Sequence, residues 1–97
     1  EFRALQAACR AAGKPLVMGE FGAFKRERAS VVEAAAWMRW QARKAEELGF
    51  AGWMYWTYDT DEQVQLWNAR SEGGAILDAL TALSGDRRPA SAFAPPR

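Results

Sequence analysis

Apolar residues recur at helical spacing at the start of the chain and then form a short uninterrupted run. Gly13 follows the helical pattern, where a helix commonly ends, so the pattern predicts a helix over residues 2–12. The run after it, from Pro15 to Met18, is too short for a helix and lacks polar alternation. Such a run is typical of a strand that is covered on both faces. The helical positions are Phe2, Leu5, Ala8, Cys9 and Ala12.

The same arrangement follows a second time. Ser30-Val31-Val32-Glu33 is a capping box that predicts the start of a helix, and this helix runs to Leu48 before Gly49 ends it. Residues 50–57 are rich in aromatic side chains and predict a second strand. A third helix is expected from residues 71–74 onward, with its apolar positions at Ile76, Leu77, Leu80 and Leu83. Residues 85–97 hold three of the four prolines, and we expect them to be a mobile tail.

The predicted order of helix, strand, helix, strand, helix places the chain in the α/β class, and the lengths of the connections refine that prediction. Both helix-to-strand links are short, whereas the strand-to-helix links over residues 21–29 and 58–70 are long. In a (β/α)8 TIM barrel the long loops and the active site lie at the carboxyl ends of the strands. A complete barrel needs about 250 residues. We therefore predict a partial barrel, its last two βα units, with residues 1–84 as a C-terminal segment; the opening residue, Glu1 rather than Met, adds to this expectation.

Composition narrows the chemistry and the partners. An apolar fraction of 49% with five Trp suits a globular core. The 13 basic and 12 acidic residues are spread along the chain, which disfavours nucleic acid and an anionic membrane as partners. The chain has no His and a single Cys, Cys9, so the common zinc sites, Ser–His and Cys–His nucleophiles and an internal disulfide are excluded. We expect no cofactor, and any catalytic group should be chiefly a carboxylate, Tyr or Lys.

Glu20 is the candidate catalytic residue because it is a carboxylate that ends an apolar strand between glycines. A charge there is costly to bury, although a salt bridge or simple exposure would also account for it. Alternation along the strand predicts that Glu20 shares a face with Leu16 and Met18. On the second strand the same rule puts Trp56 on the face of Glu20. It puts the other set against the helices: Trp53, Tyr55 and Thr57.

The motif Gly19-Glu20-Phe21-Gly22, with Gly52-Trp53-Met54-Tyr55-Trp56 on the next strand, resembles the end of cellulase-type family 5 glycoside hydrolases. That family belongs to a clan of retaining glycosidases built on the (β/α)8 barrel. The resemblance covers residues from about 1 to 84. It implies that Glu20 is the nucleophile, that Trp56 supports the sugar, and that the acid/base glutamate lies outside this chain.

The resemblance implies a function for the whole protein rather than for this chain alone. It predicts the C-terminal fragment of a retaining β-glycoside hydrolase that acts on a β-linked glucan or mannan-like polysaccharide. The isolated chain would be inactive because one of the two carboxyl groups is missing. Secretion is implied by the family only. The alternative is a non-catalytic barrel fragment or interaction module that needs a partner, either the rest of the barrel or another chain, to cover its exposed sheet.

Further residues of the two long loops allow two interpretations each. Trp67 and Asn68 are candidates for sugar binding, but Trp67 is also expected to pack the loop onto the barrel rim. Phe24 is a cleft wall or a packing residue. Asp59 and Asp61 are candidates for a second carboxylate, although Asp is common in turns.

Other residues are predicted to be structural. Trp37 and Trp40 are expected to pack on the strands. The remaining charged residues are expected to be solvated surface: Lys44, Glu47 and the run Lys25-Arg26-Glu27-Arg28.

Overall fold

A computed structural model describes residues 2–59, 62–70, 72, 74–83 and 85 of the chain. It shows a small mixed α/β domain in which three helices accompany a two-stranded parallel sheet, which confirms the predicted class and order of elements. The predicted tail lies outside the described residues, apart from Gly85. The elements are α1 (Phe2–Ala11), β1 (Val17–Phe21), α2 (Val31–Glu47), β2 (Gly52–Tyr55) and α3 (Ala75–Leu83).

The helix ends are set by local interactions that can be predicted from the sequence. The Oγ of Ser30 accepts a hydrogen bond from the Glu33 backbone N–H at 3.2 Å, and the Glu33 carboxylate accepts one from the Ala29 N–H at 2.9 Å. These bonds satisfy backbone donors that a helix start leaves unpaired. Gly13 and Gly49 have φ of +68° and +82°, the left-handed conformation that glycine adopts without strain. The predicted cap and both glycine stops are confirmed.

The two strands pair in parallel, but their register is irregular. Three residues advance along β1, from Met18 to Phe21, while two advance along β2, from Trp53 to Tyr55. An extra residue of this kind interrupts the alternation of side chains. The paired positions are Val17 with Gly52, Met18 with Trp53 and Phe21 with Tyr55.

This irregularity corrects one prediction. The alternation placed Met18 on the face of Glu20, and that prediction is wrong because Met18 packs against the core while Glu20 is exposed. The extra residue of β1 lies between the two, so counting by twos along the strand fails there.

The core lies between the sheet and the helices α2 and α3. Met38 and Ile76 are fully buried at its centre. Phe21 meets the rings of Trp53 and Tyr55 edge-on, at centroid distances of 5.6 and 5.8 Å. The prediction that Trp53 and Tyr55 face the helices is therefore confirmed. The core cluster is completed by Ala23, Ala34, Ala35, Ala42, Ala69, Ala79 and Leu83.

One charged residue is also built into this interior. Arg43 is buried, donates from Nη2 to the Leu83 carbonyl oxygen at 2.7 Å and pairs through Nη1 with Glu46. The other carboxylate oxygen of Glu46 accepts from the Trp53 indole at 3.0 Å. Arg43 thus links the end of α3 to α2, a structural role for a charged side chain that the sequence pattern does not reveal.

Two apolar surfaces of the domain are uncovered. Helix α1 has no buried residue, and its Phe2 and Leu5 are 57% and 50% exposed. On the sheet side away from the helices Val17 and Met54 are exposed. None of the helices that the structure describes has both the length and the apolar character needed to cross a membrane.

Candidate active site

A hollow lies beyond the carboxyl ends of the two strands, between the long loops that follow them. Its volume is about 280 Å³, and we call it the Glu20 hollow. It brings together Glu20 and Trp56, the two residues that the sequence analysis placed at neighbouring strand ends. The lining consists of Glu20, Phe21, Gly22, Phe24, Trp56, Gln63, Gln65 and Leu66.

The backbone joins the two strand ends at this point. The Trp56 N–H donates to the Phe21 carbonyl oxygen at 2.7 Å, which extends the parallel pairing by one residue. A Cβ added to Gly22 would lie 2.1 Å from the Trp56 carbonyl oxygen, so no other residue fits there without a shift of the backbone. The Trp56–Thr57 peptide bond is cis. The glycine after Glu20-Phe21 therefore permits the close approach of the segment that carries Trp56.

A layer of side chains supports this junction from the helix side. The Trp37 indole donates to the Gly22 carbonyl oxygen at 3.1 Å, and the Arg28 guanidinium lies 4.5 Å from the centre of the Trp37 ring. Trp37 and Trp40 stack with their rings 5.3 Å apart. Trp37 packs against the core, as predicted. Arg28 is half-buried, so the prediction of a purely solvated side chain is wrong for this residue.

The two long loops form the walls of the hollow. Phe24, 42% exposed, lines it and pairs through its backbone with Leu66, and the Lys25 N–H donates to the Gln65 carbonyl oxygen at 2.9 Å. Of the two interpretations of Phe24, the structure favours the cleft wall. The Trp56 indole donates to the Oε1 of Gln63, which also lines the hollow.

Trp67 and Asn68 do not line the Glu20 hollow. The Trp67 ring packs against the core, and its indole donates to the Arg28 carbonyl oxygen at 2.8 Å. Asn68 is buried, and its Nδ2 donates to the Leu66 carbonyl oxygen at 3.2 Å. This arrangement favours the packing interpretation of Trp67, and sugar binding by either residue stays a prediction.

A charged pair ties the two long loops together behind the walls. Lys25 pairs with Glu72, and its ammonium lies 5.2 Å from the centre of the Trp67 ring. The Asn68 N–H also donates to Glu72, at 2.8 Å. Partial burial acts to raise the pKa of Glu72, but the hydrogen bonds from Lys25 and Asn68 and the Lys25 charge lower it overall. Lys25 therefore has a structural partner in the other long loop.

Tyr55 is a second group near these loops whose pKa is shifted. Its hydroxyl donates to the Trp67 carbonyl oxygen at 2.7 Å. Burial, and then the negative charge of Glu72, raise the pKa of Tyr55 to about 12. Tyr55 therefore stays neutral and acts as a hydrogen-bond donor between β2 and the loop that follows it.

The candidates for a second carboxylate do not reach the hollow in the described part of the chain. Asp59 pairs with Arg70 and is absent from the lining of the hollow. Asp61 lies outside the described residues. Among the residues that the structure places, no three Cys, Asp or Glu side chains are grouped as a metal site would require. Glu20 is thus the one carboxylate among the described residues that line the hollow.

Sequence reasoning missed three residues of the lining, Gln63, Gln65 and Leu66. They lie in the long loop after β2, where spacing carries no periodic signal. A usable signal was the pair of amide side chains in a loop at the carboxyl end of a strand, where polar groups commonly meet substrates.

The chain was compared with protein-family models, with curated proteins and with solved structures, and none of the three comparisons gives a match. The resemblance to family 5 glycoside hydrolases stays a prediction from the two sequence motifs.

Proposed function

We propose that this chain is the C-terminal part of a (β/α)8 barrel, its last two βα units, in a retaining β-glycoside hydrolase that resembles family 5. Glu20 is the nucleophile and Trp56 supports the sugar. One observation carries the proposal: a carboxylate and an indole, at the ends of neighbouring parallel strands, line the same hollow. This is the end of the strands at which barrel enzymes place their catalytic groups.

The chemistry assigns one defined step to Glu20. Its carboxylate attacks the anomeric carbon, the bond from that carbon to the leaving oxygen breaks, and a glycosyl ester forms. A second carboxyl group protonates the leaving oxygen and then takes a proton from the water that cleaves the ester. In retaining enzymes the two groups lie about 5–5.5 Å apart. Since Glu20 is the one carboxylate among the described lining residues, the second group is contributed by another part of the barrel.

Trp56 suits the role of a sugar platform. It is 41% exposed and lines the hollow. The flat indole packs on the apolar C–H face of a pyranose, and its electron-rich face favours the positive charge that develops at the anomeric carbon. Glutamine amides, rather than further charges, line the rest of the hollow with Phe24 and Leu66. This lining fits a neutral β-linked glucan or mannan-like chain.

The test is to trap the covalent intermediate with a 2-fluoro glycoside in a polypeptide that joins these 97 residues to the six remaining βα units of a barrel. We expect the label on the peptide that contains Glu20. Glu20→Gln should remove labelling and lower kcat by roughly 10³-fold or more, because the loss of one catalytic group costs nearly as much as the loss of the whole set. Labelling of another residue, or full activity of Glu20→Gln, would refute the assignment.

A second candidate function has its own observation. Helix α1 buries no residue, and the sheet face with Val17 and Met54 is uncovered, which suits a fragment or interaction module that needs a partner. The molar mass of the 97-residue chain in solution tests it, with and without the six remaining βα units supplied as a separate polypeptide. Self-association or complex formation supports this function, whereas a stable monomer in both conditions contradicts it.

A further inference from the structure

One side chain holds the outer edge of the Trp56 indole. The Nε1–H of Trp56 donates to the Oε1 of Gln63, seven residues further along the chain. An indole nitrogen is a donor only, so the amide oxygen rather than the amide nitrogen of Gln63 must face it. Both residues line the Glu20 hollow, and Gln63 is half-buried. The bond therefore lies within the proposed sugar site.

Two other contacts of Trp56 with the described residues hold its backbone rather than its ring. The hydrogen bond to Phe21 and the close approach to Gly22 both involve main-chain atoms. The indole can turn about two side-chain bonds, and at 41% exposure Trp56 is not enclosed. A hydrogen bond at the far edge of the ring adds the constraint that the backbone cannot supply.

We propose that Gln63 is a positioning residue, which sets the angle at which the Trp56 indole faces the hollow and so selects how a sugar ring lies beside Glu20. The orientation itself follows from the geometry of this chain, whereas its use for a sugar rests on the proposed function. An aromatic platform contributes only when its face is parallel to the face of the sugar. A ring that turns freely would have to be ordered at each binding event.

Nuclear magnetic resonance of the ¹⁵N-labelled 97-residue chain tests the orientation without any ligand. Five indole N–H signals are expected, one for each Trp, and Trp56→Phe identifies the signal of Trp56. Gln63→Leu should shift this signal and speed its exchange with water, while the other four signals stay in place. Gln63→Glu keeps an acceptor oxygen and should restore slow exchange. Gln65→Leu is the matched control, because Gln65 lines the same hollow and the indole bonds to Gln63 instead.

Binding of cellotetraose to the same variants, each joined to the six remaining βα units of a barrel, tests the consequence. Gln63→Leu should weaken binding by roughly fivefold, the effect of one hydrogen bond, and Gln65→Leu should weaken it less. If the joined wild-type polypeptide binds no cellotetraose but the Trp56 signal of the 97-residue chain responds to Gln63→Leu, the orientation is supported and the proposed sugar site loses support.

Two results would overturn the inference. One is a Trp56 signal in the wild-type chain that exchanges as fast as a free indole. The other is a signal that Gln63→Leu and Gln65→Leu affect equally.

Discussion

The carboxyl ends of the two strands are held by many internal contacts, whereas helix α1 of the same small domain is largely exposed. At the strand ends, the long loops are bound to each other and to the core through Trp37, Tyr55 and Trp67, whose polar atoms all have partners within the chain. Helix α1 is attached mainly by a bond from Gln6 to the Gly49 carbonyl oxygen, at 2.6 Å, and by an edge contact between the rings of Phe2 and Phe50, with centroids 5.9 Å apart.

The loops at the strand ends are held by contacts within the chain, whereas the apolar face of α1 is exposed. Loops that carry a candidate site are generally the mobile part of a domain. Here they are held by side chains from α2, from β2 and from the second loop itself, whereas the apolar side chains of helix α1 are exposed. An amphipathic helix gains most of its stability from burying its apolar face. The exposed apolar side chains of α1 therefore add less to stability than the buried face of α2.

The largest expected effect compares the two regions directly. Met38→Ala should lower the free energy of unfolding by about 2–5 kcal/mol, because Met38 is fully buried. Leu5→Ala on α1 should change it by less than about 0.5 kcal/mol, because Leu5 is half exposed and Ala is a good helix former. Urea unfolding of both variants measures the difference. Equal losses would show that α1 is packed as firmly as α2.

A smaller effect is expected at the junction of the two strand ends. Gly22→Ala should cost about 1–3 kcal/mol and displace the Trp56 indole signal, because the new Cβ would overlap the Trp56 carbonyl oxygen. Gly19→Ala is the control, since a Cβ there would meet nothing within 4 Å. If Gly22→Ala is as stable as Gly19→Ala, the close approach is not needed for the fold.

The bond from Tyr55 to the loop after β2 predicts a response to alkaline pH. The pKa of Tyr55 is raised from 10.0 to about 12 in the folded chain, so its neutral form favours folding below pH 10, and this contribution is lost as the pH rises toward 12. Tyr55→Phe should cost about 1 kcal/mol at neutral pH through the lost hydrogen bond. The Tm of thermal unfolding should then fall more steeply between pH 10 and 12 for the wild type than for Tyr55→Phe. Parallel curves would contradict the displaced ionisation.

The smallest effect concerns the Lys25–Glu72 pair. The lowered pKa of Glu72 contributes stability above its ordinary value of 4.5, and this is lost as the pH falls below that value. Lys25→Met should make the loss on acidification shallower, and the cost at neutral pH should stay below about 1 kcal/mol because the pair is partly exposed. Lys44→Met, which breaks an exposed pair within α2, is the control. An identical acid response in both variants would mean that the pair between the loops adds nothing.

Most of the fold could be predicted because its signals are local. Ser30 with Glu33, and the glycines at positions 13 and 49, act within a few residues of where they stand, so helix bounds follow from the sequence. The parallel order of the strands also follows, from short helix-to-strand links and apolar runs. A parallel connection of this kind needs the intervening helix that the sequence announces.

The candidate site could be predicted only in part. Glu20 and Trp56 were recognisable because each ends a strand, and parallel strands bring their carboxyl ends together. Gln63 was not recognisable, because a loop residue reaches the hollow through a chain path that has no period. The packing role of Trp67 was open for the same reason: its partner, the Arg28 carbonyl oxygen, belongs to the other long loop.

The sequence alone thus determined the order of elements, their caps and the two candidate residues at the strand ends. These features depend on neighbours in the chain. Three features depended on contacts between distant segments. They are the position of Met18 against the core, the Lys25–Glu72 pair and the Gln63 amide beside the Trp56 indole. The extra residue in β1 illustrates the reason. It exists only where two strands pair, and it separates Met18, which packs against the core, from the exposed Glu20.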